Sequence, residues 1–224
     1  MEALFGYGSL ILPMSVLGRF DEELRSRIDE LRENGGASKE FLNYYMSERP
    51  VEKWKASDLH MVPAKIYGLK RSYSLEVYDS GNMLVAEEAS KDEFINGVVI
   101  FPLDKNQVDK ISETEEGYRT VEKKRDEIES YIPEEKLSEK GVEIPDKVKV
   151  YVADEEVEEV NKDTERTRSE PYHQYIVNGI RMIAEEWYTD EDQKQKLVED
   201  FMSDFRKTTF EIDENMEWKR MIQK

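Results

Sequence analysis

The chain has 224 residues, no cysteine and a formal net charge of −18, with hydrophobic and charged residues at 38% each. That length suits one domain, or one domain with a sizeable appendage. The missing thiols exclude disulfides, thiolate metal sites and cysteine nucleophiles, and the acidity argues against nucleic-acid phosphates and anionic membrane surfaces as partners.

Ala3–Tyr7 is a short apolar run bounded by glycine and predicts a buried strand. Pro13 opens a brief helix through Leu17. Residues 21–33 place Leu24, Ile28 and Leu31 at helical spacing, and Gly35-Gly36 stop that helix. Ser38 caps a further helix to about Ser47, and Pro50 ends the segment. From residue 61 the period shortens: "MVPAKIYGL", "YSLEVYD", "NMLVAEE" and "INGVVIF" read as a strand meander. Asp104–Glu116 returns to helix, with Val108 and Ile111 inward. Tyr118–Lys124 and Val148–Ala153 are strands, and the charged stretch 125–147 reads as a solvent-exposed excursion. A charged linker over 154–170 leads to amphipathic helices at 172–188 and 190–206.

Strands in the middle and helices at both ends predict an α+β fold: a small mixed β-barrel with flanking helices and a C-terminal helical extension. The division expected is a barrel domain over 1–155, carrying a helical insertion at about 20–58, and the extension over 156–224. No run approaches the ~20 apolar residues of a bilayer span. No basic segment followed by an apolar one opens the chain, which predicts a cytoplasmic protein without a signal peptide. The acidity also suits a salt-rich cytoplasm, although lysine is not scarce.

The stretch "FGYGSL" at 5–10 poses the functional question. Gly6-x-Gly8 begins a dinucleotide fingerprint, but Ile11 stands where its third glycine belongs. Ser9 lacks the flanking glycines of a nucleophile elbow, and only His60 and His173 are present as bases. An anion or oxyanion cradle remains, formed by backbone N–H groups at a strand end. A tight turn without a ligand is the equal alternative.

A strand ending in Y-G-S-L resembles the γ-glutamylcyclotransferase superfamily, including its AIG2-like members. Other patches agree in order: "YGLKRSYSLEVY" at 67–78 with Gly68 and Arg71, "NGVVIFPLDKNQVDKISETEEGYRTVE" at 96–122, and "RSEPYHQYIVNGI" at 168–180 with Ser169, Tyr172 and Gly179. The segment between Ser9 and Gly68 is longer than usual for that family, Arg168 replaces its proline, and 125–147 has no clear counterpart.

The resemblance implies an enzyme that needs no metal or other cofactor and acts on a small-molecule γ-glutamyl substrate. The substrate's α-amine attacks its own γ-carbonyl, giving 5-oxoproline and a free amine. Such an enzyme must hold a near-attack shape, remove a proton from an α-ammonium of pKa about 8 and stabilise an oxyanion. A glutamate serves as base when burial raises its pKa. In "ETEE" at 113–116, helical spacing sets Glu115 on the stripe of Val108 and Ile111 and turns Glu113 and Glu116 away. The family pattern selects the same residue. Tyr118 follows on the next strand and, by resemblance, lines the substrate site; Tyr172 is the next candidate. Main-chain groups of Tyr7, Gly8, Ser9 and Leu10 bind the γ-glutamyl portion in the family. Arg71 pairs either with a substrate carboxylate or with a structural acid. A non-catalytic small-molecule-binding or interaction protein on the same scaffold is the alternative.

Overall fold

In a computed structural model of the chain, the backbone of residues 1–34, 38–77, 81–115, 118–153 and 170–209 is described, and within these spans the side chains at 38–39, 72–77, 81–84, 170–173 and 208–209 are not. The fold is α+β. Strands β1 (Glu2–Gly6), β2 (His60–Tyr67), β5 (Phe94–Leu103), β6 (Tyr118–Lys124), β7 (Ile128–Ser130) and β8 (Lys147–Ala153) form one sheet in the order β6-β8-β1-β5-β2-β7. The β1–β8 pair is parallel and the others are antiparallel.

The expected barrel does not close, since no ladder joins β6 to β7. Only the short 3-10 turn Arg125–Glu127 links these two edge strands. A flat six-stranded sheet would hold its edges ~24 Å apart, whereas the chain from Lys124 to Ile128 reaches at most ~14 Å. The sheet therefore curls until its edges meet through the chain itself rather than through hydrogen bonds.

The meander also gives way. β2 pairs with β5 along its whole length, while β3 (Leu69–Val77) and β4 (Gly81–Glu88) form a separate hairpin. Gly68 makes the departure possible: its φ of 76° breaks β2 from β3, and its N–H and carbonyl bond Glu93 and Ala89 at 2.8 and 3.1 Å. The stretch 125–147 is not a solvated excursion. β7 pairs with β2, α6 spans Glu134–Glu139, and Ile128, Ile132, Leu137, Val142 and Ile144 are buried in the core.

Toward the N-terminus lie helices α1 (Pro13–Phe20), α2 (Glu22–Glu33), α3 (Ser38–Tyr45) and α4 (Glu48–Lys55). Pro50 sits in the first turn of α4 instead of ending a segment, because the missing N–H of proline costs nothing there. Gly35, Gly36 and the expected linker over 154–169 lie outside the described residues. α5 spans Lys105–Ser112 and opens on an Asp104–Gln107 capping box.

The last two helices, α7 (Glu170–Trp187) and α8 (Glu191–Thr209), cover the sheet with Ile176, Ile180, Ile183, Phe201 and Phe205, all fully buried. Polar groups fix their seating. Trp187 Nε1 donates to the Met61 carbonyl at 2.9 Å, and Asn96 Nδ2 donates to the Phe201 carbonyl at 2.7 Å. On α8 itself, Asp204 takes a hydrogen bond from Tyr131 at 2.9 Å and an ion pair from Lys65 at 3.0 Å.

Candidate active site

β1 lies inside the sheet, between β8 and β5, so its C-terminal end is fixed on both sides. Past Gly6 the chain folds back sharply. A Cβ on Gly6 would stand 2.5 Å from that of Leu10, and one on Gly97 would stand 2.2 Å from the Gly6 carbonyl oxygen. Ser9–Ile11 forms a 3-10 turn in which the Ile11 and Leu12 N–H groups donate to the Gly8 and Ser9 carbonyls at 3.0 and 3.2 Å. The N–H groups of Ser9 and Leu10 donate to no described residue. The Leu10 side chain is buried, and the Tyr7 hydroxyl accepts from the Ala86 N–H at 3.1 Å. Pro13 then starts α1, whose run from Pro13 to Gly18 is wholly buried.

The second half of the site comes from the end of α5. This helix stops at Ser112, not at Glu116. Two hydroxyls end it: Ser112 Oγ donates back to the Val108 carbonyl at 2.8 Å, and Thr114 Oγ1 to that of Ile111 at 2.7 Å. Such local bonds compete with helix propagation. Glu115 thus lies beyond the helix, in a turn where its N–H donates to the Ser112 carbonyl at 3.0 Å. Its inward placement comes from that turn rather than from the stripe of Val108 and Ile111, although both of those residues are buried. Glu113 points outward and meets Arg25 at 3.5 Å, while residues 116 and 117 lie outside the described residues.

Arg19 joins the two halves. One of its terminal nitrogens, Nη1, donates to both Thr114 Oγ1 and Glu115 Oε1, and Nη2 donates to Ser9 Oγ at 3.2 Å. The Arg19 and Glu115 side chains each keep 14% of their exposure. The structure therefore brings Ser9 and Glu115 together, with Gly8 and Leu10 adjoining Ser9 in the same turn. Tyr118 opens β6, and its N–H reaches the Glu115 carbonyl at 3.4 Å. The backbone of Tyr172 lies in the first turn of α7, but its side chain, like Ser169, lies outside the described residues. Gly179 is where α7 crosses the turn: a Cβ there would stand 2.5 Å from the Ile11 carbonyl oxygen.

Tyr151 borders the same cluster and shares a 2.7 Å hydrogen bond with Ser112 Oγ. Burial pushes the Tyr151 hydroxyl up and the Glu115 charge adds to the shift, while the Ser112 hydrogen bond and Arg19 oppose it. Burial likewise pushes Tyr45 up against the opposing field of Arg19. Arg71 sits elsewhere: it is buried under α8, donates to Asn96 Oδ1 at 3.0 Å and stacks 4.3 Å from the Phe205 ring centroid. Among the described residues no group of three or more His, Cys, Asp or Glu is arranged to hold a metal ion, and no helix is long and apolar enough to cross a membrane.

Sequence reasoning missed Arg19, Thr114 and Tyr151. Arg19 does leave a signal, as the single cation at the end of the otherwise buried run Pro13–Gly18. A charge in that position needs a partner.

No protein-family model and no curated protein matches the chain. Solved structures similar to it include a γ-glutamyl cyclotransferase, 14% identical with a TM-score of 0.46 over 99% of this chain and 95% of that one. An uncharacterised human protein is 14% identical with a TM-score of 0.46 over 100% and 98%. A yeast γ-glutamyl cyclotransferase specific to glutathione is 12% identical with a TM-score of 0.37 over 92% and 90%. Likeness at this level is one of chain course and decides neither activity nor substrate.

Proposed function

We propose that the chain catalyses ring closure of a γ-glutamyl compound, with Glu115 as the proton-transfer residue. The observation that carries this reading is the withdrawal of Glu115 from water, 14% exposed, beside a glycine turn to which Arg19 ties it. A largely buried carboxylate tied to a turn that carries backbone N–H groups is the pairing that acyl transfer with an internal amine requires. Glu115 takes a proton from the substrate α-ammonium, and the freed amine attacks the γ-carbonyl carbon. The Ser9 and Leu10 N–H groups receive the negative charge that develops on the carbonyl oxygen. The bond to the leaving amine then breaks as the proton held on Glu115 passes to it, and the second proton of the attacking nitrogen follows by way of the same carboxylate, so the ring keeps one N–H and the amine departs as an ammonium. Tyr118, Tyr7 and Tyr172 line the substrate in this reading.

The Arg19–Glu115 ion pair itself favours a second reading, in which the carboxylate is structural and the site only binds. One experiment separates the two. The protein is incubated with a panel of γ-glutamyl amino acids, and 5-oxoproline is measured. Ring closure predicts product, and a Glu115→Gln loss of ~10²–10⁴ in rate with unchanged thermal unfolding. Absence of product from every donor gives the site to the binding reading.

A further inference from the structure

We infer that the Arg19–Glu115 pair is a receptor for the zwitterionic head of an α-amino acid: the substrate α-carboxylate takes Arg19, and the α-ammonium takes Glu115. The inference rests on the ring-closing activity proposed above and specifies how that substrate is held. Arg19 meets Glu115 directly. Three guanidinium hydrogens are committed, to Thr114 Oγ1, Glu115 Oε1 and Ser9 Oγ. The Nε–H and the remaining Nη2–H donate to no described residue, although the side chain keeps only 14% of its exposure. A largely buried guanidinium with unused donors has the fork geometry that carboxylates fill.

Charge arithmetic favours an exchange. Separating a buried ion pair leaves two uncompensated charges, so no neutral ligand opens this one. An amino-acid head carries both countercharges on one carbon, and it replaces one ion pair with two. The exchange also releases the Glu115 oxygen held by Arg19 at the moment an ammonium arrives, which places a free carboxylate against the proton to be removed. Thr114 and Ser9 hold the guanidinium from either side, so Arg19 stays in place when Glu115 lets go. An amine lacking the carboxylate has no means of opening the pair.

The test compares two probes, L-γ-glutamylmethylamide and 4-amino-N-methylbutanamide, which differ only in the α-carboxylate. Calorimetry on the whole protein should show the carboxylate probe binding ~10- to 100-fold more tightly. Arg19→Gln should erase that preference, and Arg19→Lys should restore part of it, with near-ultraviolet circular dichroism reporting the fold of each variant. Equal binding of both probes by the unaltered protein overturns the inference without recourse to any variant. The preference together with its loss in Arg19→Gln, but with no 5-oxoproline formed, upholds the amino-acid receptor and removes ring closure. 5-Oxoproline formation with an Arg19→Gln KM unchanged removes the receptor and upholds ring closure.

Discussion

Replacement of Gly179 by alanine tests how tightly the last helices clamp the opening turn. Helix α7 passes so close to the turn that an added Cβ would stand 2.5 Å from the Ile11 carbonyl oxygen, 2.7 Å from its carbon and 2.9 Å from the Leu12 nitrogen. Ordinary contact begins at 3.4 Å, so one backbone must retreat by about 0.9 Å. Neither yields readily, because α7 is anchored by fully buried Ile176, Ile180 and Ile183 and the turn by fully buried Ile11 and Leu12. Overpacking of this kind costs ~1–3 kcal/mol, against a gain of about 1 kcal/mol for alanine over glycine inside a helix. The overlap with backbone wins, giving a net loss of up to ~2 kcal/mol, read by urea unfolding with an unchanged m-value. Displacing the Ser9–Ile11 turn by that distance should also lower 5-oxoproline formation by up to ~10²-fold. A Gly179→Ala protein more stable than the parent by about 1 kcal/mol would refute the reasoning, since that is the propensity gain with no clash.

Glu186 supplies a pH test. Its Oε2 is buried without a partner, and burial pushes its carboxyl up to about 7, with Lys140 opposing. The folded state therefore holds this proton more tightly than the unfolded chain, so its contribution is complete below the ordinary carboxylate pKa and disappears as pH rises through about 7. Relative to Glu186→Gln, the parent should lose stability between pH ~5 and ~8; parallel stability curves across that window would contradict the assignment. At Gly68, the φ of 76° disfavours any side chain, and a Cβ would stand 2.9 Å from Lys123 Nζ. Gly68→Ala should lower stability by ~1–2 kcal/mol, and an unchanged denaturation midpoint would show that the β2–β3 junction relaxes freely.

Features that depend on neighbours along the chain were legible. The amphipathic spacing of residues 21–33, the apolar run before Gly6 and the stripe of Ile176, Ile180 and Ile183 each specify an element and its inward face, because the α and β periods are local geometry. Glu115 was legible as a residue withdrawn from water but not for the right reason. The hydroxyls of Ser112 and Thr114 end the helix early, and the turn, rather than a helical face, carries the acid inward. The stretch 125–147 misled through its charge, since the isoleucines that enter the core are outnumbered along the chain by acids and bases that stay in water.

What the sequence alone determined is therefore a partial inventory: the strand before Gly6, the amphipathic helices at 21–33 and toward the C-terminus, and an acid near residue 115 that faces inward. Tertiary structure alone decided the partners. Arg19 and Glu115 lie 96 residues apart, and β6 and β7 end at opposite edges of one sheet although a three-residue turn joins them. Contacts at such separation follow from strand order and sheet curl, which the closing of long loops and the burial of whole faces select together, and no local pattern encodes them.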